Sequence, residues 1–130
     1  MAGELILMIE DHPLNAKLLR DFLLAKGYRM IESTTAEEGL VLAREHIPDL
    51  ILMDIRLPGM DGTAALSELK RNRATRQIPV IAVTASVMPT EREEFLAAGF
   101  DGYQAKPVSV KGLLEEIRTL LELAAAKQGG

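Results

Sequence analysis

The chain has 130 residues, 48% of them hydrophobic and 26% charged, with a formal net charge of −4 and no cysteine. That length suits one compact domain able to fold without staples and is too short for two ordinary ones; the missing cysteines exclude a disulfide framework, a thiolate metal site and a cysteine nucleophile. No apolar run approaches the roughly 20 residues that cross a bilayer, no basic region precedes the first apolar stretch, and an acidic chain with 4% aromatic residues lacks both the basic footprint and the stacking surface of a nucleic-acid binder.

Short, solid apolar runs alternate along the chain with segments of helical period. The first run is Leu5–Ile9, followed by a stripe of Leu14, Leu18, Phe22 and Ala25 with Leu19 and Leu23 beside it, and Gly27 offers a C-terminal stop. Arg29–Ile31 is a weaker run, suited to a strand near a sheet edge. Thr35 and Glu38 have the spacing of a capping box opening a helix through Leu40, Leu42 and Ala43. Ile47-Pro48 ends it, because the residue before proline is pushed out of the α region. Leu50–Met53 is the next solid run, then Ala65, Leu66 and Leu69 mark a third helix. Val80–Val83 follows, then a second capping-box pair, Thr90 and Glu93, leading to Phe95, Leu96 and Gly99. Gly102–Ala105 is the second weak run. Leu113, Leu114, Ile117, Leu120, Leu121 and Ala124 form the last and cleanest stripe; Leu123 widens it beyond one strip, which suits either a partner or homodimer contact or packing on the core and first helix.

The order is β-α repeated five times. Runs rich in Ile, Leu and Val suit strands buried on both faces, so the alternation implies a parallel sheet with helices on both sides. Right-handed crossovers leave few topologies, and the expectation is an α/β fold, (βα)5, doubly wound, with strand order 2-1-3-4-5. Residues 1–126 form the expected domain and 127–130 a frayed tail.

In such a sheet, ligands bind beyond the carboxyl ends of the strands where strand order reverses, here between strands 1 and 3. Strand 1 ends in Glu10-Asp11, strand 3 in Asp54, strand 4 in Thr84 and strand 5 in Lys106-Pro107. Three carboxylates converging on one crevice repel unless a cation neutralises them, and an all-oxygen set with one or two direct carboxylates suits Mg²⁺. Lys106 and Thr84 supply a point charge and a hydroxyl donor, suited to a phosphoryl oxygen, and a carboxylate between them can act as a nucleophile.

These residues, in order and at strand ends, are specific: Glu10-Asp11; Asp54 within Leu-Met-Asp-Ile-Arg-Leu-Pro-Gly-Met-Asp-Gly; Thr84-Ala85; and Lys106-Pro107. The sequence resembles a response regulator receiver domain of two-component signalling, with the CheY-like, flavodoxin-like fold, from Leu5 to about Leu121. Within that family, Glu-Asp-His-Pro-Leu-Asn-Ala-Lys-Leu-Leu and the loop around Asp54 resemble single-domain regulators of the DivK kind and the receivers of hybrid histidine kinases. The resemblance implies Asp54 as phospho-acceptor. It implies Mg²⁺ (or Mn²⁺) held by Asp11, Asp54 and the backbone carbonyl of Arg56, with Glu10 acting mainly through water. Thr84 and Lys106 would contact the phosphoryl oxygens, and Tyr103 matches the switch aromatic. Lys106-Pro107 matches a position that is usually cis. Implied partners are a histidine kinase or histidine phosphotransfer protein and a downstream protein that reads the surface of helix 4, strand 5 and helix 5. Neither nucleic acid nor membrane is an expected partner, and the expected location is cytoplasmic.

Each residue alone has an ordinary reading. Glu10-Asp11 also suits a solvated turn ahead of an N-terminal Pro13, Asp54 a helix cap, Thr84 a strand-end hydroxyl, Lys106 a surface lysine and Tyr103 a half-buried edge aromatic. Pro58-Gly59-Met60-Asp61-Gly62 is turn chemistry, with Gly59 supplying positive φ. His12 flanks the acidic pair without a chemical role, and His46 reads as a helix C-terminal residue. Arg56 and Ser86, each two residues beyond a strand-end site residue, are expected to overhang the site; Arg56 is placed to pair with a phosphoryl group or with Glu10. Three functions remain: a stand-alone regulator whose output is protein binding; a receiver fragment of a hybrid kinase or larger regulator; and an aspartate-dependent phosphatase. The last uses an Asp-x-Asp pair after strand 1, where this chain has Glu10-Asp11-His12-Pro13, so a signalling domain rather than an enzyme is expected. A nucleotide site is disfavoured because neither a Walker loop nor Gly-x-Gly-x-x-Gly follows strand 1.

Overall fold

The chain alternates strand and helix throughout: β1 (Leu5–Ile9), α1 (Pro13–Ala25), β2 (Arg29–Ser33), α2 (Ala36–His46), β3 (Leu50–Asp54), α3 (Gly62–Arg71), β4 (Val80–Thr84), α4 (Pro89–Ala98), β5 (Gly102–Ala105) and α5 (Val110–Gly129). The computed structural model describes residues 3–57, 59–85 and 89–129. All neighbouring strands pair in parallel, in the order β2-β1-β3-β4-β5. The two weakest apolar runs, β2 and β5, are the edge strands, whereas every residue of β3 and β4 is buried.

Alternation along the strands sends successive side chains to opposite faces, and each face has its own core. On one face Leu7, Ile9, Ile51, Met53, Val80 and Ala82 pack with α2 and α3 and with Phe95 and Phe100 of the α4 region. On the other, Ile6, Met8, Leu50, Leu52, Ile81 and Val83 pack with Leu19 and Leu23 of α1 and with Leu113 and Ile117 of α5.

The α1 stripe differs from the sequence expectation. Leu14 and Leu18 are 59% and 58% exposed, and the neighbouring pair Leu19 and Leu23 fills the core. Both rows have helical spacing, so only the sheet decides which is buried. The helix opens as expected on Pro13, and Gly27 (φ 95) follows its C-cap Lys26. Thr35 caps α2, accepting from the Glu38 N–H at 3.2 Å, but its own N–H donates to Ser33 Oγ, so only half of the capping box forms. Ile47 leaves the right-handed α region for the left-handed one, with φ 44. α3 begins at Gly62, capped by Asp61, whose carboxylate accepts from Ala64 N–H at 2.8 Å. α4 starts at Pro89, which puts Thr90 inside the helix rather than at its cap. α5 continues through Gly129, so Lys127, Gln128 and Gly129 are helical where a frayed tail was expected. Leu120 and Leu121 pack against the core and Leu123 is 54% exposed.

Candidate functional site

The carboxyl ends of the strands bring Glu10, Asp11, Asp54, Thr84 and Lys106 to one edge of the sheet. Glu10 extends β1 by one ladder bond, its N–H donating to Ser33 carbonyl at 3.0 Å, and Lys106 extends β5, donating to Thr84 carbonyl at 2.7 Å. Carboxylate oxygens of Glu10, Asp11 and Asp54 all lie within 4.8 Å of one another. Glu10 and Asp54 are buried, at 4% and 5% exposure, and Asp11 is open to solvent. Lys106 Nζ stands 3.0 Å from Asp54 Oδ2 and 3.1 Å from Glu10 Oε1. The backbone assists both acids: Arg56 N–H donates to Asp54 Oδ1 at 3.0 Å and His12 N–H to Glu10 Oε2 at 3.1 Å.

The electrostatics follow from this crowding. Burial, first, pushes the Glu10 carboxyl above its ordinary value; the His12 N–H opposes this and the Asp54 carboxylate adds to it. Burial also disfavours the charged form of Lys106, but its hydrogen bonds to Asp54 and Glu10 outweigh that, and its pKa is raised. One ammonium therefore faces two buried carboxylates, with a third carboxylate alongside. An excess of negative oxygen donors on one crevice fits a hard divalent cation of the Mg²⁺ type.

Strand parity divides the site between the two faces of the sheet. Asp54 is registered with Val83, whose side chain belongs to the α1/α5 face, and Glu10 and Lys106 line a groove of about 370 Å³ on that side with Leu18, Phe22 and Val108. Thr84 has the parity of Val80 and Ala82, and Ala82 is registered with Tyr103, so Thr84 and Tyr103 belong to the α2–α4 face. Thr84 is 1% exposed. Tyr103 is half-buried, its ring stacked on Phe95 at 5.6 Å between centroids. The Lys106-Pro107 bond is cis.

The Arg56 side chain is exposed, and the cation paired with Glu10 is Lys106 rather than Arg56; Ser86 lies outside the described residues. Gly59 has the positive φ expected of it, at 78. His12 has a structural task that the sequence did not reveal: its Nδ1 accepts from Asn15 N–H at 3.4 Å as the N-cap of α1. Gly62 was also missed. Its N–H donates to Ile55 carbonyl at 3.0 Å, and a Cβ there would meet Asp54 O and Ile55 Cα at 2.9 Å, so α3 abuts the acidic strand end directly. Its place after Asp61, at a helix start next to Asp54, was the available signal.

A five-stranded parallel sheet in this order, with an acid cluster and a lysine at the carboxyl ends of its inner and edge strands, is a doubly wound α/β domain whose charged residues gather on strand termini. The chain belongs to the response regulator receiver domain family, which it matches over residues 6–118. It is 45% identical over 116 residues to the polar-differentiation response regulator DivK of Brucella ovis, covering 89% of this chain and 94% of that protein, and equally to DivK of Brucella anthropi. Among solved structures it is similar to the receiver domain of a sensor histidine kinase from Pseudomonas aeruginosa, described with magnesium coordinated in its active-site cleft: TM-score 0.85, 34% identity, 93% of this chain and 99% of that one. A response regulator from Chloroflexus aurantiacus superposes with a TM-score of 0.88 at 25% identity, over 92% of this chain and 98% of that one. The family is one of signalling domains rather than of enzymes, and among the described residues no helix is long and apolar enough to cross a membrane.

Proposed function

We propose that the protein is a DivK-like phosphorylation switch of a two-component phosphorelay, with Asp54 as the acceptor. The observation that carries this is the convergence of Asp54 on Lys106 at 3.0 Å and on Glu10 and Asp11 within 4.8 Å, at the end of a fully buried strand. The donor is a histidine kinase or histidine phosphotransfer protein. An Asp54 carboxylate oxygen attacks phosphorus in line, a P–O bond forms as the P–N bond to the donor imidazole breaks, and the imidazole leaves and takes up a proton. Asp11, Asp54 and the Arg56 carbonyl would hold Mg²⁺ (or Mn²⁺), with Glu10 acting through water. The ion would supply charge neutralisation on the phosphoryl oxygens. Lys106 neutralises the remaining charge and is already oriented by Asp54 and Glu10.

The product carries about two negative charges on its phosphoryl oxygens beside Lys106 and Thr84, in place of the single charge of the carboxylate. Thr84 turns its hydroxyl toward them and Tyr103, on the same sheet face, follows. The surface of α4, β5 and α5 changes and a downstream protein reads it, in the cytoplasm. Leu14 and Leu18, exposed on α1 where the groove leads to Lys106, give the phosphodonor protein an apolar surface beside the acceptor.

The test is intact-protein mass after incubation with a small acyl-phosphate donor, with and without Mg²⁺, for wild type and Asp54→Asn. One phosphoryl group, dependent on Mg²⁺ and absent from the variant, is expected. No adduct on the wild type refutes the acceptor role, and continued turnover of the donor with many product molecules per chain points to a phosphatase instead.

A further inference from the structure

The chain has only five aromatic residues, three Phe and two Tyr. Three of them, Phe95, Phe100 and Tyr103, meet in one row beside the candidate site. Phe100 is the fixed end: it is 3% exposed, follows Gly99 at the close of α4, and its N–H donates to the Phe95 carbonyl at 3.1 Å. Phe95 sets its ring edge-on to Phe100, with centroids 5.8 Å apart and planes at 84°. Tyr103 then lies over the other side of the row, stacked on Phe95 at 5.6 Å with planes at 25°. Both geometries are the favoured ones for aromatic pairs.

The row connects α4 to the site through register. Tyr103 is paired with Ala82, and Thr84 lies two residues beyond on the same face of β4, so Tyr103 is the diagonal neighbour of Thr84. A Tyr103 ring that moves toward Thr84 uncovers the face of Phe95. Phe95 itself cannot follow, because the Phe100 ring and the backbone bond to Phe100 hold it.

We propose that Phe95 is a positioning residue of the switch: its stack on Tyr103 holds the resting arrangement, and loss of that stack is the step that releases α4. This rests on the reading of Asp54 as acceptor with Thr84 and Tyr103 responding. A contact made in one state and lost in the other biases the equilibrium by its own worth and no more. An aromatic pair contributes about 0.5–1.5 kcal/mol beyond its area burial, which converts to about 2- to 12-fold in the resting-to-active ratio.

The experiment uses the full chain with beryllofluoride and Mg²⁺ as the acyl-phosphate mimic, and follows the tyrosine rings by NMR. Tyr28, buried at 4% on the opposite sheet face, is the internal reference for Tyr103. Phe95→Leu and Phe95→Met, which keep apolar bulk without a ring face, should reach half-saturation at about 2- to 12-fold less beryllofluoride than wild type. Their Tyr103 signal in the unliganded protein should already be displaced toward the saturated position, with Tyr28 unmoved. Phe95→Tyr, which keeps the ring, should match wild type. Unchanged midpoints with an unmoved Tyr103 signal would show that Phe95 merely packs, and raised midpoints would assign the stack to the active state; either overturns the proposal. A wild type that binds no beryllofluoride and takes no phosphoryl group from an acyl phosphate overturns the acceptor reading itself, and the proposal with it.

Discussion

Gly62→Ala tests how the candidate acceptor is held. Gly62 is the first residue of α3, and an added Cβ would stand 2.9 Å from Asp54 carbonyl oxygen, 2.9 Å from Ile55 Cα and 3.1 Å from Ile55 Cδ1. The first two are backbone atoms and cannot swing aside, so the end of β3 must retreat from α3 by about half an ångström to restore ordinary contact. Overpacking of this kind costs about 1–3 kcal/mol, and the better helix propensity of Ala returns about 0.5–1 kcal/mol, for a net loss of up to about 2.5 kcal/mol. The Gly62 N–H to Ile55 carbonyl bond, now 3.0 Å, must lengthen with it. A misplacement of about 1 Å at a reacting group costs about 100-fold in rate, so half of it should slow phosphoryl transfer to Asp54 by about 10-fold. Gly112→Ala is the control: its nearest neighbours would be Ser109 Oγ and Cβ at 3.5 and 3.7 Å, ordinary contacts with the residue just ahead of α5. That variant should gain stability, by up to about 1 kcal/mol, and keep its rate. Urea unfolding followed by circular dichroism gives the first quantity and initial rates of Mg²⁺-dependent adduct formation give the second. A Gly62→Ala protein as stable and as fast as wild type would refute the close-packing argument.

Glu10, with a pKa raised by burial, contributes stability that is full below its unfolded value of about 4.5 and is lost as pH rises through the folded value, so Glu10→Gln in chelator should be more stable than wild type at neutral pH, with the gap closing below pH 4.5; a variant less stable than wild type at neutral pH contradicts this, and Lys106 keeps Asp54 as its partner in either case. Leu19→Ala should lose about 2–4 kcal/mol and Leu14→Ala no more than about 0.5 kcal/mol in denaturant midpoints, since one is 5% and the other 59% exposed; equal losses would refute the assignment of the buried row. His12→Ser replaces a long cap bond with a preferred N-cap residue, so stability should hold or rise by about 0.5 kcal/mol with the phosphorylation rate unchanged; a rate loss beyond a few-fold would give the imidazole a chemical role.

The strands were legible because parallel strands buried on both sides carry solid apolar runs, and β3 and β4 are buried at every position and apolar up to their last residue. The strand-end acids and Lys106 were legible for the same reason: once the runs are placed, their last residues are fixed. What was not legible lies between elements. α1 carries leucines on two rows, and the choice of Leu19 and Leu23 over Leu14 and Leu18 belongs to the sheet it packs on. No spacing rule links Phe95 to Tyr103, which are joined only because α4 lies back against β5. The approach of Gly62 to the Asp54 carbonyl is likewise a contact between elements.

β5 lies at the edge of the sheet. It has four residues, the fewest of the strands, and none of them is exchanged with a strand on its outer side. Its two central side chains point to opposite faces: Tyr103 to Phe95 near the end of α4, and Gln104 to Glu116 of α5, donating to that carboxylate at 3.0 Å. Consecutive residues of one strand thus tie two helices that lie on different faces of the sheet. Asp54, Glu10 and Lys106 sit on the α1/α5 face and Thr84 on the α2–α4 face, so a charge gained at Asp54 would have to act on α4 across the end of the sheet. A donor seated at the α1 groove and a reader seated on α4 would then occupy opposite faces.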